Sequence, residues 1–402
     1  MNKPNTAADK TMSRMPRTIW MLGFVSLLMD TSSELIHALL PIFLVTTLGA
    51  STLAVGIIEG VAEAATSITK LFSGVISDWI GKRKPLVVLG YGIAALTKPL
   101  FPLASTVELV VIARLMDRVG KGIRGAPRDA LVADITTPEL RGAAFGLRQS
   151  LDTIGGFLGP LLAIALMFWF ADDIRTVLWF AVPPAFLALA LLVVAVPEPE
   201  RKPSDKPQRV PISRAELARM PASYWWVVVV GSVLTLARFS EAFLILRAQG
   251  VGLSLAWVPA VLVIMSAVYA AAAYPAGLLS DRVNRRYVLM IGMAVLIGAD
   301  LTLAYVPNVV GILLGAALWG LHMGFTQGLL STLVADEAPL QLRGTAFGVF
   351  NLVCGLMMLA ASVLAGFLWD SFGAPTTFLT GAAFTALALM GFVLTRRHGQ
   401  PG

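Results

Sequence analysis

Residues 74–83 read Gly74-Val75-Ile76-Ser77-Asp78-Trp79-Ile80-Gly81-Lys82-Arg83, and residues 277–286 read Gly277-Leu278-Leu279-Ser280-Asp281-Arg282-Val283-Asn284-Arg285-Arg286. The two aspartates lie 203 positions apart. A second pair of segments, Arg141-Gly142-Ala143-Ala144-Phe145-Gly146 and Arg343-Gly344-Thr345-Ala346-Phe347-Gly348, repeats at an offset of 202. Two unrelated motifs share nearly one offset, and it is half of the 402 residues. An internal repeat of that size marks a duplicated bundle.

The chain around these motifs is apolar. Residues of the AVILMFWYC set make up 57% and charged residues 14%, with a mean hydropathy of +0.78. Soluble domains carry about 25% charge, so this chain must meet lipid. Disorder is excluded by the low polarity, and a disulfide scaffold by Cys354 being the only cysteine. A bilayer core about 30 Å thick needs about 20 helical residues. Twelve such spans are expected: about 18–46, 54–77, 86–105, 108–133, 142–170, 176–196, 223–246, 256–279, 287–306, 308–334, 344–369 and 376–395. Runs such as 187–196 do not alternate, which argues for helices over barrel strands.

The expected architecture is therefore an all-α membrane protein of twelve transmembrane helices. An N-terminal six-helix bundle (18–196) and a C-terminal one (223–395) are related by pseudo-twofold symmetry. A tail (1–17), a proline-rich charged linker (197–222) and a tail (396–402) complete the chain. Twenty Lys and Arg fall in the tails and loops of one side and two, Arg175 and Arg247, on the other. The positive-inside rule then places both termini in the cytoplasm and the protein in the cell (inner or plasma) membrane. The net charge of +7 follows from this topology, which speaks against a nucleic-acid partner. Residues 1–17 read as a polar tail, not a cleavable signal, and residues 212–220 as a short surface helix.

Twelve helices in two halves, each with a G-x-x-x-D-x-x-G-K-R-like loop, resemble the major facilitator superfamily. Trp79 stands where the family has a basic residue, and Asn284 where it has glycine. Arg118-x-x-x-Gly122 resembles the family's arginine motif. Gly155-Gly156-Phe157-Leu158-Gly159-Pro160 resembles the G-x-x-x-G-P motif of drug–proton antiporters. The resemblance implies that Asp78 clasps the start of the eleventh helix and Asp281 the start of the fifth, where Arg343 and Arg141 stand. It thus implies a cytoplasmic gate of Gly74, Asp78, Gly81, Lys82, Arg83, Arg118, Asp129, Arg141, Asp281, Arg282 and Arg343.

Charges also fall inside the spans: nine basic residues and, apart from Glu108 at the very start of the fourth span, nine acids, fifteen of these eighteen in the first half. Each costs about 2.5–3.5 kcal/mol at a bilayer centre, so they must pair or line a wet cavity. Asp30, Glu34 and His37 share one face of the first span, and Glu59 and Glu63 one face of the second. Asp117, Lys121, Arg124 and Arg128 form one stripe on the fourth. Arg148 and Asp152 are spaced to pair. Ser240-Glu241 mirrors Ser33-Glu34, and Gln149 corresponds to Asn351. Lys98 has no evident partner, and Asp300 is expected to reach toward a helix end.

Carboxylates in a low-dielectric cavity can load protons near neutrality. Asp30 and Glu34, with Glu59 and Glu63, are the candidates for proton coupling. A permanent ion pair between Glu34 and an arginine of the fourth helix is the competing reading. The candidate substrate cavity comprises His37, Lys121, Arg124, Arg128, Arg148, Gln149, Asp152, Arg238, Glu241, His322, Gln327 and Asn351. Trp20, Phe24, Phe239, Phe243, Trp319 and Phe325 supply either an aromatic wall or plain packing. Three histidines and one cysteine do not make a standard zinc site. With no GxxxxGK[ST] loop, transport would draw on the proton gradient, with no cofactor. The expected protein is not an enzyme. It is a monomeric proton-coupled secondary transporter that exports a small solute or drug. Uptake of an organic acid or chelated metal by symport, metal-ion export, and a non-transporting sensor are the alternatives.

Overall fold

The computed structural model describes residues 15–80, 82–137, 140–198, 217–339 and 342–395, without the side chains at 78, 281, 344 and 393–395. Among the described residues every regular element is helical. In chain order these are α1 (Arg17–Ile42), α2 (Thr52–Ile80), α3a (Lys84–Thr97), α3b (Leu100–Leu103), α4 (Val107–Ile135) and α5 (Arg141–Trp169). There follow α6a (Ile174–Trp179), α6b (Val182–Ala195), α7a (Ala222–Ala237), α7b (Ala242–Gly250), α8 (Ala260–Arg282) and α9 (Arg285–Tyr305). The last are α10 (Val309–Glu337), α11 (Arg343–Phe372) and α12 (Ala374–Thr395). Each expected span has its helix. The linker and both tails fall mainly outside the described residues, as does most of 212–220.

Eleven helices or helix pairs, among the described residues, are long and apolar enough to cross a membrane. The twelfth is α4, at 29 residues one of the longest, which has the length but not the composition. Its charged stripe is what disqualifies it. Lipid leaves a backbone no partner but itself, so such a segment stays helical only if protein covers its charges. Thr106 starts α4 by accepting from the Leu109 N–H at 3.5 Å.

Among the described residues, three of the spanning helices are interrupted. Pro99 cannot donate an N–H and divides α3. A turn at Phe180–Ala181 divides α6. The seventh span was expected to be continuous, but α7a ends at Ala237 and α7b begins at Ala242. Arg238 has φ −111° and ψ 79° there, and its N–H turns back to the carbonyls of Leu234 (3.2 Å) and Thr235 (3.1 Å).

The chain packs as two compact units. The first gathers Met1–Ile36, Ile68–Leu162 and Asp173–Arg209, and the second His37–Ser67, Ala163–Asp172 and Val210–Gly402. The core of the first joins Ile19, Leu22 and Met29 of α1 to Tyr91 of α3a, Leu131 of α4 and Leu192 of α6b. In the second, Tyr224, Val227 and Val228 of α7a meet Val334 of α10 and Phe350 of α11. Burial of such side chains contributes about 1.5–3 kcal/mol each relative to exposure, where water is the alternative.

Candidate functional site

In the first unit the α4 stripe is covered by α1, α3a and α5. Arg128 donates through Nη1 to Ser26 of α1 (3.1 Å) and to the Tyr91 hydroxyl of α3a (3.4 Å). Its guanidinium also lies 3.6 Å from Asp129 and 3.9 Å from Asp152 of α5. Arg148 binds Asp152 at 2.5 Å, approaches Asp129 to 3.7 Å and donates to Gln149 at 3.3 Å. Arg124 stacks its guanidinium 4.4 Å above the Tyr91 ring, a contact worth about 2 kcal/mol when desolvated. Asp30 lies in the field of Asp152, Lys121, Arg124 and Arg128. Four helices thus hold one network of alternating charge, and Asp129, expected at the gate, belongs to it.

Lys98 gains the partner that the sequence did not reveal. Its buried ammonium donates to Asp117 (2.8 Å) and to Ser33 (2.9 Å). Arg114 and Arg118 are buried on the same helix as Asp117. The Gly155/Gly159 motif draws α5 onto α1. A Cβ at Gly155 would stand 2.5 Å from the Leu27 carbonyl oxygen, and one at Gly159 2.7 Å from the Leu35 nitrogen and 2.8 Å from the Glu34 Cβ. Glu34 is half-buried and backed directly by that crossing.

In the second unit His37 stands between two carboxylates. Glu59 of α2 is 3.9 Å from Nδ1 and Glu241, at the α7 break, is 3.8 Å from Nε2. Only 1% of Glu59 is exposed, against a half-buried Glu63. The shared face of α1 therefore serves two clusters, Asp30 with the α4 stripe and His37 with Glu59 and Glu241. Among the described residues, no three His, Cys, Asp or Glu side chains converge as metal ligands. Arg238 lies within electrostatic reach of Glu241, Tyr269 and His322. The His322 Nδ1 is 2.9 Å from the Gly292 carbonyl oxygen. Phe239, Phe243 and Trp319 form a buried aromatic cluster with Phe378, so these three are packing. Gln327 is half-buried, and Gln149 and Asn351 are exposed.

At the ends bearing the basic loops, Gly74 faces Ala126 of α4, and Lys82, Arg141, Arg282 and Arg343 are exposed. Gly81 and the side chains of Asp78 and Asp281 lie outside the described residues. Arg83 is buried: it donates to Ser77 (2.8 Å) and pairs with Asp134 at the end of α4 (3.4 Å). Glu198 accepts the N–H groups of Arg83 and Lys84, both at 2.8 Å, and so caps α3a. The same ion pair recurs 202 positions on, between Arg285 and Asp336. Arg343 donates to the Ala335 carbonyl at 3.0 Å.

At the opposite ends, within the second unit, Asp370 of α11 caps α2. Its Oδ2 accepts from the Leu53 N–H at 2.9 Å, and its Oδ1 from the Thr52 N–H at 3.2 Å and the Thr52 hydroxyl. A Cβ at Gly56 would stand 2.2 Å from the Ser362 carbonyl oxygen, so α2 and α11 cross in backbone contact. Asp370 and Thr52 escaped the sequence reading because a cap made by a residue 318 positions away has no local pattern.

Membrane-length helices that bury networks of opposite charge define a multi-pass transport protein. The Major Facilitator Superfamily profile matches residues 22–362, and the chain belongs to that family. An uncharacterized MFS-type transporter of Methanocaldococcus jannaschii is 32% identical over 390 residues, covering 96% of this chain and 95% of the relative. The Multidrug resistance protein 1 of Bacillus subtilis is 26% identical over 196 residues, 47% of this chain and 49% of its own length. Among solved structures, the nucleoside transporter NupG aligns with a TM-score of 0.77 at 14% identity, covering 96% of this chain and 100% of that one. A bacterial homolog of the human lysosomal transporter Spinster aligns at 0.74 and 16%, covering 95% and 96%. The protein is thus a membrane transporter of small molecules and not an enzyme.

Proposed function

We propose that this transporter is a proton-coupled exporter of a small solute or drug, working by alternating access. It acts as a monomer in the cell (inner or plasma) membrane, with both termini cytoplasmic, and draws on the proton gradient with no cofactor. The observation that carries this reading is Asp30 among Asp152, Lys121, Arg124 and Arg128. An acid there exchanges a proton for an arginine partner when the network rearranges, with Glu34 one turn further along the same face. Glu59 on α2 serves the second cluster, in which His37 can relay, and Glu63 follows one turn along the same helix. The Bacillus relative, named for multidrug resistance, supports export.

In the family's manner, Asp78 and Asp281 latch the cytoplasmic side onto α11 and α5 in the outward-open state. A panel of labelled solutes offered to everted vesicles, scored by proton release, tests export. Accumulation coupled to proton efflux supports it, and accumulation only in right-side-out vesicles rejects it.

One observation favours uptake of an organic acid by symport. Arg124 is buried, and its Nη1 has no hydrogen-bond partner among the described residues. A carboxylate would satisfy it. Arg124→Gln then abolishes uptake of acids only, whereas an exporter of neutral or cationic solutes keeps its cargo.

A further inference from the structure

We infer that the second half of the chain binds a monovalent cation, a proton or Na⁺, between the Asp300 carboxyl and the backbone carbonyl that ends α7a. Asp300 of α9 is 0% exposed. Neither of its oxygens has a hydrogen-bond partner among the described residues. A bare ionised carboxylate in an apolar interior is prohibitively costly, so it must be neutralised.

The polar group that crowds the same point is an acceptor. A Cβ built at Gly381 of α12 would stand 2.9 Å from Asp300 Oδ2, 3.0 Å from the Ala237 carbonyl oxygen and 3.3 Å from a ring carbon of Phe239. Only glycine lets α7a, α9 and α12 converge there. Ala237 is the last residue of α7a, so its carbonyl belongs to the negative end of a half-helix. Two acceptor oxygens thus approach the same point above Gly381, and among the described residues nothing donates to the Asp300 carboxyl. Interrupted helix ends are where membrane transporters coordinate such ions.

The duplication identifies what is missing. Asp300 lies 202 positions after Lys98, and Trp319 the same distance after Asp117. In the first half the position carries its own ammonium, bound to Asp117 and Ser33. In the second half it carries an acid, and Trp319, 0% exposed with an unpartnered Nε1, replaces the aspartate. The cation that the first copy supplies covalently, the second takes from solution.

The titratable groups on the surrounding helices do not fill this role. Arg247 donates to the carbonyls of Leu303 (3.0 Å) and Ala304 (3.4 Å). His322 faces Gly292, and Arg238 faces Glu241 and Tyr269. The described part of α12 carries no titratable side chain. The site is independent of the Asp30 network, so either can fail alone.

The test uses the purified full chain in detergent. Intrinsic tryptophan fluorescence and melting temperature are titrated with NaCl against choline chloride at fixed pH, then with pH in sodium-free buffer. A saturable response to Na⁺ identifies sodium, and a response to pH alone identifies the proton. Either response should be lost in Asp300→Asn, whose amide can donate to the Ala237 carbonyl and so preserve the fold, and in Gly381→Ala. A wild-type response to neither, or one unchanged in Asp300→Asn, overturns the proposal. Should the variants not fold, wild-type protein is labelled with an apolar carbodiimide and mapped by mass spectrometry. Labelling of Asp300 slowed by Na⁺ or by raised pH supports the site. Absence of labelling, or indifference to both, contradicts it.

Discussion

Lys98 and Asp300 lie 202 positions apart, the offset of the repeated motifs, and they solve the burial of charge in opposite ways. Lys98 is fixed: its ammonium lies 2.8 Å from Asp117 and 2.9 Å from Ser33, on helices drawn from the same unit. Asp300 instead shares the space above Gly381 with the Ala237 carbonyl and the Phe239 ring. At this offset the two halves carry opposite charges. The half with an internal counter-ion gained a permanent strut, and the half without one kept a group whose charge must be balanced from outside.

Removing one member of the strut has the largest expected effect. Asp117→Asn leaves a buried ammonium without its anion and should cost about 3–5 kcal/mol. It should appear as a large drop in the melting temperature of the purified protein. Lys98→Met with Asp117→Leu should recover most of that loss, and Asp300→Asn should shift the melt far less. Equal losses in Asp117→Asn and Asp300→Asn would erase the proposed difference.

A second duplicated pair sharpens the contrast. Arg83–Asp134 and Arg285–Asp336 share the offset of 202, but Arg83 is 6% exposed and also holds Ser77. Arg83→Ala should cost about 1–3 kcal/mol, since it strips a buried charge-assisted bond. Arg285→Ala should cost less than about 1 kcal/mol, as for exposed pairs. Thermal melts of both variants, in low and high salt, provide the check. Only the Arg285 effect should fade with salt.

The smallest effect belongs to a loop. Asp173 caps α6a, and the Thr176 hydroxyl, followed by the Thr176 N–H, holds its carboxyl below the ordinary 3.8. Because its folded value is depressed, the cap's stabilisation is complete above the ordinary value. It is lost as pH falls through the lower, folded one. Asp173→Ala should cost about 1 kcal/mol at neutral pH and nothing in strong acid, measured as melting temperature against pH.

The helices were legible because lipid demands length and apolarity, and the duplication because loop motifs survive at a constant offset. The α7 break was not legible, since Arg238 and Glu241 read as two isolated charges in an apolar run. Their three-residue spacing beside Ser240 was the available signal. Lys98 found Asp117 only through the crossing of α3 and α4, and no pattern along the chain encodes that approach. Extending the 202-residue comparison from loops to buried positions would have set Asp300 opposite Lys98 and Arg285 opposite Arg83. The Asp370 cap had no repeat to reveal it, because Phe168 occupies the corresponding position and meets Trp257 at 5.4 Å, an aromatic contact in place of a polar one.

We propose that carboxylates on α1 couple transport to protons. The direct measurement is pH-gradient-driven flux of an identified cargo in proteoliposomes, comparing wild type with Asp30→Asn and Glu34→Gln. Gradient-driven flux should vanish in at least one variant while gradient-free exchange of cargo persists. Undiminished gradient-driven flux in both would contradict the account.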